Sequence, residues 1–138
     1  MSEVTGTTWT VYDADSMTQA EIYGRVLTEE GLRRPNLIAM TADLAKSTKI
    51  GAFNEKIPDR FINVGIAEQN LFGMAAGIAK SGLLPVVSTM AAFASMRAAE
   101  QVRTDICYQN LNVKIIATHA GTSFGAAGST HHCTEDLA

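Results

Sequence analysis

Cysteine is scarce in this chain of 138 residues, with only Cys107 and Cys133 present. Two cysteines cannot build a disulfide framework, and they fit the reduced thiols of a cytoplasmic protein. No apolar run reaches the ~18 residues that cross a bilayer, and the stretch from Met1 to Asp15 is polar. Neither a membrane-spanning helix nor an ordinary signal peptide is expected in this sequence. Basic residues are few and scattered, 11 against 14 acidic ones for a net charge of −3, so nucleic acid is not an expected partner. The chain also lacks internal repeats, low-complexity segments and any interior linker. What remains is a well-buried globular profile, 46% hydrophobic and 18% charged, of the length of one domain.

The hydrophobic pattern alternates helix and strand. Ser16 or Thr18 can cap a helix running to about Leu32, with Ile22, Val26 and Leu27 apolar. Asn36 to Thr41 reads as a strand, and the polar run ADLAKST follows at its carboxyl end. Residues 50–60, with Pro58, read as a loop. Phe61 to Val64 is a short strand, Gly65 takes a turn, and a helix rich in small residues runs from Ala67 to Gly82. Leu84 to Ser88 is a third strand. A long helix is predicted from Ala91 to about Asn110, with Phe93, Met96, Val102 and Ile106 facing inward. Val113 to Thr118 is the fourth strand, and a glycine-rich loop fills residues 119–132. Thr134, with Glu135 and Asp136 behind it, predicts a last helix and a domain that continues past Ala138. The alternation predicts an α/β domain over residues 16–138, a mostly parallel sheet with helices on both faces, behind a lead over residues 1–15.

One residue breaks the pattern. Glu68 is a carboxylate in the first turn of an apolar helix, directly after a strand of a parallel sheet. Ligands of such sheets gather at the carboxyl ends of the strands. The plainer reading is a solvated glutamate favouring a positive helix terminus.

The words around Glu68 favour the first reading. GIAEQN, a Gly/Ala-rich helix, a short strand and then STMAAFASMRAAEQVR resemble the transketolase family of thiamine-diphosphate enzymes, in particular its pyrimidine-binding domain. The resemblance covers about Met17 to Ala138. It implies that Glu68 hydrogen-bonds a ring nitrogen of the cofactor's aminopyrimidine and promotes the tautomer that removes the thiazolium proton. It places Phe93 against the pyrimidine ring, with Met90 where many relatives carry another aromatic and Met96 at a third position. It makes His119 and His131 lining residues of the substrate channel, where a histidine also transfers protons near neutral pH. Ser47 matches a serine that contacts the substrate phosphate, and Asp43 stands where it can approach cofactor or substrate. Each of these two could equally be a turn or cap residue.

Several absences bear on the resemblance. No GDG with a downstream asparagine appears, the element that holds Mg2+ and the diphosphate, so a separate diphosphate-binding section is implied as partner in a homo- or hetero-oligomer. His131, His132 and Cys133 lack the second spaced pair of a zinc site, and no metal is expected on this chain. The glycines at 121, 125 and 128 are not followed by the Lys-Ser/Thr of a phosphate-binding loop. Ala127 stands where typical transketolases have an aspartate for a donor hydroxyl, and Ala20 where many have a phosphate-binding arginine. The implied activity is transfer of a two-carbon ketol unit from a ketose phosphate to an aldose phosphate, with the usual pentose-phosphate donors in question. Rival readings are a 2-oxo acid dehydrogenase beta subunit, a deoxyxylulose-phosphate synthase, or a non-catalytic interaction domain. The His119 to His132 loop favours transketolase over the first of these.

Overall fold

The structure is a computed structural model that describes residues 16–137, so the predicted lead over residues 1–15 lies outside the described residues. Thr18 opens the first helix with a capping box. Its hydroxyl accepts from the Glu21 amide at 3.3 Å, and the Glu21 carboxylate accepts from the Thr18 amide at 2.9 Å. Helix α1 then runs Gln19–Arg33. At its far end the Arg60 guanidinium donates to the carbonyls of Gly31 and Arg34, groups no helical amide can reach. Strand β1 follows, Leu37–Thr41, with every residue buried.

Residues 50–60, expected to be a loop, instead hold helix α2, Gly51–Lys56, and a 3-10 turn, Pro58–Arg60. Ile50, Phe53 and Ile57 lie at helical spacing and are all buried, so one apolar stripe draws this short segment into a helix. Strand β2 is Phe61–Asn63, and helix α3 is Glu68–Lys80. Strands β3, Leu84–Met90, and β4, Lys114–Thr118, complete a four-stranded sheet in the order β2-β1-β3-β4. All pairings are parallel, Thr41 facing Asn63 on one side and Ser88 on the other, and Met90 facing Thr118. Side chains alternate across the sheet. Met40 and Val87 pack against Leu71, Phe72 and Ala75 of α3, whereas Leu37, Ala39 and Val86 meet Leu27 of α1 and Phe53 of α2. The fold is thus the predicted one, a parallel sheet covered on both faces.

Between β3 and β4 residues 91–107 are helical as expected, but not as one regular α-helix: the segment breaks at Ala98, and two stretches of it are π-helical, Phe93–Arg97 and Gln101–Cys107. The Ala98 amide donates to the Phe93 carbonyl at 3.1 Å and the Tyr108 amide to the Arg103 carbonyl at 2.9 Å, each spanning five residues. A wide turn takes in an extra residue and rotates the side chains beyond it. Ile106 is buried and Val102 packs on the core as expected, but Met96 is 59% exposed, against its predicted inward role. The helix expected at Thr134 is also absent: residues 134–137 form bends and turns. The Thr134 amide is taken by the carboxylate of Glu135 at 3.0 Å, and so few residues cannot nucleate a helix alone.

Helix α3 carries Gly77 at an exposed position where an added Cβ meets nothing within 4 Å. Gly77→Ala is expected to stabilise the chain by about 0.5–1 kcal/mol, read from chemical denaturation, because alanine loses less backbone entropy in a helix. No gain in denaturation midpoint would show that the helix is tighter there than described.

Candidate functional site

Each of the four strands delivers its candidate residue at the carboxyl edge. Asp43 follows β1 with a φ of 60°, its amide donating to Asn63 Oδ1 at 2.9 Å beside the end of β2. Gly65 turns the chain after β2 with a φ of 75°, as the sequence predicts. Met90 closes β3 and is buried. His119 follows β4 with a φ of 60°, a left-handed conformation that few non-glycine residues adopt and that gathers at functional positions.

Glu68 sits on the buried face of α3. Residues 68, 71, 72, 75 and 76 form one stripe at helical spacing, and the carboxylate occupies the place of its first apolar member. The residue is 2% exposed and lines a cleft of about 410 Å3 together with Ile66, Ala67 and Asn70. Its Oε2 accepts a hydrogen bond from Arg97 Nη1 at 2.8 Å, its sole hydrogen-bond partner among the described residues. A buried carboxylate needs such a counter-charge.

Arg97 begins a continuous lane of side chains. Its Cζ lies 4.2 Å from the centroid of the Phe93 ring, within cation–π range. Phe93 meets His131 edge-on at 5.6 Å, His131 stacks on Phe124 at 5.2 Å, and Phe124 meets His119 at 4.7 Å. The structure therefore joins Glu68, Phe93, His131 and His119, four candidates scattered over the sequence. Both histidines are oriented by a neighbouring threonine: Nδ1 of His119 bonds Thr118 Oγ1 at 2.8 Å, and Nδ1 of His131 bonds Thr130 Oγ1 at 2.9 Å. The loop bearing Phe124 is closed at its base where the Cys133 amide donates to the Gly121 carbonyl at 2.8 Å. Cys133 Sγ lies 3.2 Å from Ser95 Oγ, and both cysteines are free thiols.

His119 also lines a groove of about 520 Å3 between α1 and β4, shared with Gln19, Ala20, Tyr23 and Ser123. Tyr23 projects from α1 to hydrogen-bond the Ser88 hydroxyl, and burial pushes its phenol up to about 12 while that bond pulls the other way. Ser47 lies in the turn after Asp43, and no described contact ties Asp43, Ser47 or Met90 to the lane.

Two residues of the site escape sequence reasoning. Arg97 lies four positions after Phe93, a same-face spacing that signals a contact only once Phe93 is placed. Phe124 is the lone aromatic of the glycine-rich loop. Apart from the lane, His132 has a buried Nε2 without a hydrogen-bond partner among the described residues.

Comparison with known proteins shows which family the chain resembles. The family described as transketolase, pyrimidine binding domain, matches residues 15–138. A provisionally named transketolase C-terminal section of Methanocaldococcus jannaschii is 47% identical over 116 residues, 84% of this chain and 37% of that protein. One of the subunits of an apulose-4-phosphate transketolase from Actinobacillus succinogenes is 45% identical over 102 residues, 74% of this chain and 33% of its own length. A solved split-gene transketolase, in an inactive beta4 tetramer, superposes with a TM-score of 0.72 at 50% identity, over 85% of this chain and 37% of that one. The chain spans about a third of these relatives. With its parallel sheet, its buried glutamate and this agreement across nearly its whole length, the chain belongs to the family of transketolase pyrimidine-binding domains.

Proposed function

We propose that this chain is the pyrimidine-binding section of a split, thiamine-diphosphate-dependent transketolase. The intact enzyme transfers a two-carbon ketol unit from a ketose phosphate to an aldose phosphate. The observation that carries the reading is the Glu68 carboxylate, 2% exposed yet lining a cleft, with a single hydrogen-bonding partner.

Those residues fit an aminopyrimidine. The carboxylate accepts a hydrogen bond from a flat nitrogen group, and the adjoining Phe93 ring offers a face that already carries a flat cation. When bound, thiamine diphosphate supplies the carbanion chemistry, and the protein supplies orientation and electrostatics. Glu68 would hold a ring nitrogen through its carboxylate and Phe93 would support the ring, with Met90 and Asp43, at the ends of their strands, as further cofactor contacts. His119 and His131 contact the donor's hydroxyls and move protons there, while Ser47 receives the substrate phosphate. Mg2+ and the diphosphate are held by the partner section, since this chain has no GDG element. The free thiols of Cys107 and Cys133 support a reducing compartment, the cytoplasm.

The donor departs from the pentose phosphates of typical transketolases. Ala20 stands in the groove beside His119, offering no charge to a phosphate. Ala127 offers no hydrogen bond to a hydroxyl. The likeness to part of an apulose-4-phosphate transketolase supports a branched or differently phosphorylated ketose.

The test is reconstitution with a diphosphate-binding section, thiamine diphosphate and Mg2+, followed by a donor screen with an aldose acceptor. Ketol transfer is expected from the pair and not from this chain alone. Activity of the chain by itself, or use of 2-oxo acids in place of ketoses, would overturn the reading.

A further inference from the structure

We propose that Arg97 is a latch that occupies the pyrimidine seat until the cofactor displaces it; this rests on the function proposed above. Glu68 is 2% exposed, whereas the Arg97 side chain is 47% exposed, so the guanidinium stands between the carboxylate and solvent. Both residues line the same cleft.

The same guanidinium makes both contacts that a bound ring needs. Nη1 donates to Glu68 Oε2 at 2.8 Å, and Cζ lies 4.2 Å from the Phe93 centroid. A guanidinium is planar and delocalised, with N–H donors in its plane and a face that stacks on aromatics. An aminopyrimidine protonated at the ring nitrogen that faces Glu68 presents the same two surfaces, an in-plane N–H donor and a face for Phe93. Ring and latch therefore compete, and one swing of a long side chain releases both contacts together. Arg97 lies four positions after Phe93, on the same helical face, and is laid back across the phenyl ring.

The latch answers a physical need of the empty site. A buried carboxylate without a counter-charge is costly, and Arg97 supplies one from within the chain. The consequence is a reduced apparent affinity, because only the fraction of molecules with the latch open accepts the cofactor.

The test uses this chain assembled with its diphosphate-binding section, titrated calorimetrically with thiamine diphosphate at fixed Mg2+. Arg97→Ala is expected to lower the Kd about five- to tenfold, to lower the melting temperature of the cofactor-free assembly, and to enlarge the rise in melting temperature at saturation. An unchanged or raised Kd would overturn the latch, a raised value meaning that Arg97 supports Glu68 in the loaded site. If Arg97→Ala fails to assemble, Arg97→Lys decides. It keeps the charge but has no flat face, so the Kd is expected to fall about two- to fourfold, and no fall overturns the proposal. Glu68→Gln, titrated and assayed alongside, separates the two readings. If it leaves both cofactor binding and ketol transfer intact, the function assigned to the site fails, whatever Arg97 does.

Discussion

Glu68→Gln is expected to lower the ketol-transfer turnover of the reconstituted enzyme by about 10²–10⁴-fold, the range lost when a positioned proton-transfer group is removed. Glutamine keeps the length and shape of the side chain, and its carbonyl oxygen still accepts a hydrogen bond from Arg97. What it removes is the negative charge, and with it any ability to hold a proton for a ring nitrogen. The fold should survive. Removing one partner of a fully buried ion pair strands the other and destabilises strongly. Here the remaining partner, Arg97, has a side chain that is 47% exposed and regains water. The two effects separate in two measurements. Thermal unfolding should move little, while turnover at saturating cofactor collapses. A variant that kept near-normal turnover would remove Glu68 from the chemistry and with it the reading of the cleft.

Why the sequence spoke so clearly of Glu68, and so poorly of its neighbours, has a physical explanation. An apolar stripe at positions 71, 72, 75 and 76 extends backwards to 68, so the glutamate falls on a core face by helical geometry alone. The strands are equally legible, because a central parallel strand such as Leu37–Thr41 is buried on both sides and reads as a continuous apolar run. Period and burial are local properties. The lane from Arg97 to His119 is not local. It depends on a loop folding back so that Phe124 slips between His119 and His131, and nothing in the spacing of these residues fixes that.

Two departures from the expected helices have opposite causes. A helix was expected over Ala91 to about Asn110 because apolar residues recur there at helical intervals, but the wide turns change that period midway and turn Met96 outward. Periodicity analysis assumes one pitch per segment. The short α2 was missed for the opposite reason: six residues are too few to display a period, although Ile50, Phe53 and Ile57 bury as one stripe.

Gly24→Ala is expected to destabilise the chain by about 2–4 kcal/mol, more than a typical overpacking substitution. An added Cβ would stand 1.9 Å from the Lys49 carbonyl oxygen and 2.8 Å from its carbon. That neighbour is backbone and cannot rotate away like a side chain. It is also held from both sides, since Lys49 sits in the left-handed region with a φ of 61° and the next residue, Ile50, is fully buried. Alanine's better helix propensity returns only about 1 kcal/mol. To make room, α1 must lift from the turn at residues 45–49, and this turn carries Ser47. The substitution therefore tests stability and function at once. Thermal unfolding should fall by roughly 6–15 °C, and the reconstituted enzyme should lose affinity for its phosphorylated donor, seen as a raised KM, with a smaller change in kcat. A lowered Tm with an unchanged KM would leave the packing of α1 intact as described and remove Ser47 from the phosphate site. An unchanged Tm would mean that α1 does not lie against Lys49 at all.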